Sequence, residues 1–175
     1  MKYSKYKIYE DKIAFDFYEF HFSSLRKNKV LTLNRIKEVD FNTFPYTMKI
    51  DNGEIIFFNH GDTEEIKNFA ERNHIKQSNK IDVWSLLCNE FLDTEIEKEE
   101  AEKQKATLLH LGFTESELTA IRKKIKWSLF GTWEWTYLGH WDVLAMKQNR
   151  NPFYRFNGAN FYWWTMEIAL KGKVV

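Results

Sequence analysis

Apolar and polar residues alternate with a period of two along the first sixty positions. Over residues 12–20, Ile13, Phe15 and Phe17 fall on one face and Ala14, Asp16 and Tyr18 on the other, the mark of a strand with unlike sides. Residues 5–10 set Tyr6 and Ile8 on one side, and Glu10-Asp11 supplies a turn between the two strands. A polar loop over 23–29 leads to a short strand at 30–33 and another at 38–42, with Val39 and Phe41 facing inward. The sharpest local signal lies at 46–58, where Tyr46, Met48 and Ile50 alternate, Asp51-Asn52-Gly53-Glu54 interrupts, and an apolar run resumes at Ile55. Asn-Gly between such runs predicts a two-residue type I′ turn with positive φ at both positions. Six strands result. A helix follows, with Asp62 as N-cap, Glu65 completing a capping-box-like pair, and a stripe of Ile66, Phe69 and Ala70; it ends near Asn73. The expected core of this part is Ile13, Phe15, Phe17, Leu31, Leu33, Ile50, Ile55 and Phe69.

From residue 81 the period lengthens to 3.6. Val83, Trp84, Leu87, Cys88, Phe91 and Leu92 form one amphipathic stripe, and Asp93-Thr94 breaks it. Thr94 with Glu97 opens a second helix, about 95–111, that begins in a run of mixed charge suited to a solvated face. Gly112 suits the position just past a helix end, and Thr114 with Glu117 is another capping box, followed by the stripe Leu118, Ile121, Ile125 and Leu129. An aromatic helix is expected over 126–148, since Phe130, Trp133, Tyr137, Trp141 and Leu144 recur every three or four residues. Residues 149–160 read as a loop and 161–170 as a last apolar helix. The expectation is therefore an α+β protein of two domains. Residues 1–77 form an antiparallel β module with a closing helix, and residues 81–172 form a helical domain of about five helices.

Three segments of the second half carry a resemblance. The run Asp82-Val83-Trp84-Ser85-Leu86-Leu87-Cys88-Asn89-Glu90-Phe91-Leu92-Asp93-Thr94-Glu95 resembles the W-x-x-L…F-L-D-T-E signature of an uncharacterised bacterial protein family. Residues 117–122 match that family's E-x-x-x-I-R stretch, and residues 133–144 its W-E-W-x-x-L-G-x-x-D-V-L helix. The first half resembles the strand part ahead of the signature, through Asn52-Gly53-Glu54-Ile55-Ile56-Phe57 and Phe69-Ala70-Glu71-Arg72-Asn73. The resemblance implies the two-part architecture and no particular reaction. Six strands closed by a helix also look like a bacterial pleckstrin-homology-like module, a kind that more often binds partners or oligomerises than catalyses. A seventh strand, which such a module would show, is not found.

Composition narrows the classes. Of the 175 residues 29% are charged and 43% hydrophobic, which suits a folded globular chain. The net charge of +1 argues against a dedicated nucleic-acid binder. So does the acidic start of the helix after Gly112, where Thr114-Glu115-Ser116-Glu117 stands where a recognition helix would meet phosphates. Aromatics reach 17%, and six of the seven Trp lie between Trp127 and Trp164; they suit a compact core or an aromatic binding surface. Cys88 is the only cysteine, so no internal disulfide forms, and a cytoplasmic setting is expected. The first residues lack a signal-peptide pattern, and no charge-free apolar stretch is long enough for a transmembrane segment.

The candidate polar site is Glu134, His140 and Asp142. Glu134, Leu138 and Asp142 fall at i, i+4 and i+8 of the expected helix, so both carboxylates share a face; His140 lies about 160° round from Asp142. The plainer reading is that these acids bond Trp indoles, Tyr hydroxyls or Arg122 and lock helix packing; the sharper one is an acid pair or ligand site. No catalytic residue is assigned, and no metal or cofactor motif is present. Asp93, Thr94 and Glu95 read as a helix-capping signature. Taken together, the sequence points to a non-enzymatic interaction module, with a protein partner or self-association. The alternatives are an enzyme or ligand site centred on Glu134 and Asp142, and then a DNA-binding regulator.

Overall fold

The computed structural model of the chain describes residues 4–92, 97–129 and 137–171. The architecture is α+β, and all six expected strands form: β1 (Lys5–Ile8), β2 (Lys12–Phe17), β3 (Val30–Thr32), β4 (Ile36–Asp40), β5 (Thr47–Ile50) and β6 (Ile55–Phe57). They make two antiparallel three-stranded sheets, ordered β1-β2-β3 and β4-β5-β6. Ile13 stands opposite Leu31 in the first sheet, and Met48 lies between Val39 and Ile56 in the second. A turn of 3-10 helix at Leu33–Arg35 leads from one sheet to the other. Residues 76–78 then run beside β4. The Val39 N–H donates to the Lys76 carbonyl (2.9 Å) and the Ser78 N–H to the Val39 carbonyl (2.7 Å), so the outer edge of β4 is partly paired by the chain on its way to the second half.

The helices among the described residues are α1 (Leu25–Asn28), α2 (Thr63–Arg72), α3 (Val83–Cys88), α4 (Lys98–His110), α5 (Glu115–Leu129), α6 (His140–Arg150), α7 (Tyr154–Asn157) and α8 (Ala159–Leu170). Several sequence expectations hold in detail. Gly112 lies between α4 and α5 with φ +87. The Thr114–Glu117 box closes both ways: the Glu117 N–H donates to Thr114 Oγ1 (3.2 Å), and the Thr114 N–H to Glu117 Oε2 (2.8 Å). Of the expected β-module core, Ile13, Phe15, Leu31, Ile50 and Phe69 are buried, while Phe17, Leu33 and Ile55 are half-buried.

Five expectations are corrected. The single helix over 126–148 is interrupted, because Tyr137, Leu138 and Gly139 are not helical and α6 starts afresh at His140. The hairpin loop has three residues instead of two. The Gly53 N–H donates to the Ile50 carbonyl (3.0 Å) and the Ile50 N–H to the Glu54 carbonyl (2.9 Å), and only Gly53, at φ +82, takes positive φ. That is a turn followed by a left-handed glycine, the three-residue alternative to type I′. Asp62 occupies the N-cap position of α2 but makes no cap bond; its carboxylate instead accepts the Tyr6 hydroxyl (2.6 Å) and the Asn59 amide (3.0 Å). The polar loop at 23–29 contains the single turn α1, which buries Leu25, and the loop at 149–160 contains α7. The capping signature Asp93, Thr94 and Glu95 lies outside the described residues.

Buried residues of both halves belong to one continuous cluster. Bonds cross it at several points. The Tyr162 hydroxyl donates to Glu54 Oε1 (2.7 Å), and the Trp84 indole to the Thr165 carbonyl (3.1 Å) within the helical half. Phe20 and Phe57 of the β module pack against Trp141, Tyr162 and His140.

Candidate functional site

Of the candidate polar residues, His140 and Asp142 sit in the first turn of α6, and Glu134 lies outside the described residues. Asp142 has a structural task. Its Oδ2 accepts the Gly139 N–H (2.8 Å) at the point where the chain enters the helix, satisfying an N–H that has no intrahelical partner. Burial raises its pKa to about 6. Gly139 allows Tyr137 to fold back over the junction; a Cβ there would stand 2.8 Å from the Tyr137 hydroxyl. The Trp141 indole bonds an acid outside the candidate set, Glu19, whose Oε1 accepts Trp141 Nε1–H (3.0 Å). Arg122, a proposed partner of the candidate acids, is ion-paired with Glu90 (3.0 Å).

His140 is a buried imidazole clamped between aromatic rings. It stacks on Trp84 (5.3 Å, 17°) and meets Phe57 edge-on (5.0 Å). Desolvation pushes its pKa down to about 3, so it is neutral at pH 7. Its Nε2 has no hydrogen-bond partner among the described residues. It borders a small cavity of about 50 Å³ between β5–β6, the 78–84 segment and α6. The acids of that cavity are engaged. Asp82 caps α3 through Oδ1, which accepts the Trp84 (3.0 Å) and Ser85 (3.2 Å) N–H groups, while its Oδ2 accepts the Tyr137 hydroxyl (2.9 Å). Glu38 is paired with Lys80 and with Lys49 (3.9 Å). Among the described residues, no acid is hydrogen-bonded to His140, and no three His, Cys, Asp or Glu side chains gather as metal ligands. The geometry here holds α3, α6 and the linker together.

A second and larger cleft, about 740 Å³, opens where the chain leaving β2 meets the end of α6 and α7. Its floor is set by Gln148. The side-chain amide donates to the Glu19 carbonyl (2.9 Å) and accepts the His21 N–H (2.9 Å), pairing with this backbone as a neighbouring strand would. Glu19 is buried. Its Oε1 is taken by Trp141 and Ser4, its Oε2 has no hydrogen-bond partner among the described residues, and desolvation raises its pKa. Tyr154 also lines the cleft, buried to 1% exposure, and its hydroxyl has no hydrogen-bond partner among the described residues. His21, Arg26 and Arg155 supply positive potential. The His21 pKa is lowered by desolvation first and then by the two arginines. Phe17, Phe20 and Phe156 give the cleft apolar walls.

Nothing in the sequence pattern brought these residues together. They come from positions 17–26 and 148–156, and only the tertiary fold joins them. The local hint, an aromatic-and-arginine run at Phe153-Tyr154-Arg155-Phe156, reads equally well as loop. No family model, curated protein or solved structure matches the chain. Among the described residues, no helix is long and apolar enough to cross a membrane.

Proposed function

We propose that the chain is a non-enzymatic, cytoplasmic interaction module that acts through contacts with a protein partner. The observation that carries this reading is the ridge on α7. Phe153 and Phe156 are 65% and 86% exposed, three residues apart, with Arg155 between them. Large apolar side chains presented together around a cation have the composition of an interface core, where Phe and Arg are enriched. The partner fitted by this ridge is a protein surface with an apolar pocket and an acidic rim. On this reading the first half, six antiparallel strands followed by α2, is a pleckstrin-homology-like module, a kind that binds. The capping task of Asp142 favours the interaction reading over an enzyme centred on that residue. Cys88, buried in the core, is consistent with a reducing compartment.

The test is a differential capture from lysate of the native cell, with the wild type and a Phe153→Ser, Phe156→Ser double variant as baits. Because both side chains face solvent, the variant should melt within a few degrees of the wild type. A partner should be retained by the wild type and lost by the variant. Identical captured proteins from the two baits would refute the reading.

A further inference from the structure

We propose that the cleft between the end of β2 and α7 binds a small organic anion with a planar body and a hydrogen-bond donor, of the size and chemistry of a nucleoside monophosphate. This goes beyond the protein-contact reading and does not depend on it. Three observations set the ligand's features. The first is charge. Arg26 and Arg155 both line the cleft, and neither forms an ion pair with a carboxylate among the described residues. Arg26 is held by the Tyr18 carbonyl (3.4 Å) and lies over the Phe17 ring (5.5 Å), so its position is fixed without an acid. Two guanidinium groups free of carboxylates, beside an imidazole, call for an anion, and a phosphate suits their fork of donors.

The second observation is a pair of buried polar atoms without a partner among the described residues, Glu19 Oε2 and the Tyr154 hydroxyl. Both residues are more than nine-tenths buried and border the cleft. A buried polar atom without a partner costs stability unless something supplies the bond. An ionised Glu19 Oε2 accepts only, so its partner must carry an N–H or O–H. The Tyr154 hydroxyl can donate or accept. The third observation is the pair of rings from Phe17 and Phe156 at the edge of the cleft, against which a planar body packs. Inorganic phosphate alone would leave Glu19 and the rings unused, and an uncharged aromatic would leave the arginines unused. The volume of about 740 Å³ lies in the range of small-molecule clefts.

Calorimetric titration of the full chain separates these features. The probes are adenosine 5′-monophosphate, adenosine, phenyl phosphate and inorganic phosphate. Adenosine monophosphate should bind with Kd below about 1 mM, and each of the others at least about ten-fold more weakly. Two variants locate the site. Arg155→Ala changes an exposed side chain and should weaken adenosine monophosphate about ten-fold or more at an unchanged melting temperature. Tyr154→Phe removes a hydroxyl that bonds nothing among the described residues, so the free chain should melt at the same temperature or higher while affinity falls several-fold. A purely structural tyrosine would move no affinity. The proposal is overturned if adenosine monophosphate does not bind, if adenosine binds as tightly, or if either variant keeps wild-type affinity. Loss of partner capture by the Phe153, Phe156 variant would stand in each of those cases, so the two readings fail separately.

Discussion

His140 and Asp142 stand two residues apart, and burial acts on them with opposite consequences for stability. The folded chain keeps His140 neutral down to about pH 3, whereas an exposed histidine takes a proton near 6.5. Its contribution is therefore present above pH 6.5 and lost as pH falls toward 3, because the unfolded chain binds the proton first. Asp142 holds its proton up to about pH 6 in the fold, against 3.8 when exposed. Its contribution is present below pH 3.8 and is lost as pH rises through 6. Between pH 4 and 6 the two slopes oppose each other. His140→Phe keeps a ring between Trp84 and Phe57 and removes the titrating nitrogen. Relative to wild type it should gain about 2 kcal/mol on going from pH 7.5 to 4.5. Asp142→Asn keeps an oxygen for the Gly139 N–H and should gain about 1–2 kcal/mol in the other direction, from pH 4.5 to 7.5. Urea unfolding at the two pH values measures both; a difference from wild type that is independent of pH would show that the burial of the residue does not control its protonation.

At the scale of elements, the β5–β6 hairpin depends on one backbone angle. Gly53 at φ +82 is where a side chain strains the main chain, and its Cβ would lie 3.5 Å from Leu170 Cδ1 on α8. Gly53→Val should lose about 2 kcal/mol or more, and Gly53→Asn clearly less, because asparagine tolerates the left-handed region and valine does not. Equal losses in thermal melts would place the cost in crowding against Leu170 instead. Strands were legible because each buries one face, so period two is written into Ile13, Phe15, Val39, Met48 and Ile50. The turn type was not, since Asp51-Asn52-Gly53 fits a two- or a three-residue loop and the choice falls to the pairing of Ile50 with Glu54. The break before α6 escaped for a different reason. Aromatic residues at helical spacing continue across it, and the signal lay in Gly139 followed by Asp142, an entry glycine with an acid three residues on. The larger cleft was invisible because Glu19 and Tyr154 are made neighbours only by the docking of α6 and α7.

Across the whole molecule, the two halves share one core and exchange buried bonds, so they should unfold together. All seven Trp lie at position 84 or later, so indole fluorescence reports the helical half, while far-ultraviolet dichroism reports both. Their denaturation curves should coincide; a dichroism transition preceding the fluorescence change would show that the β module melts by itself. Tyr162→Phe probes the junction. It removes the hydroxyl bonded to Glu54 Oε1, leaving the Ser24 N–H contacts (3.1–3.2 Å) to hold a carboxylate with no exposure. The variant should lose on the order of 2 kcal/mol with the two curves still superimposed. The Gln148 amide adds a reporter of another kind. The His21 amide proton is held by that side chain, so it meets solvent deuterium when the Gln148 amide lets go of the strand end. Its exchange rate, read at a single residue, times the release of one contact at the joint between the two halves.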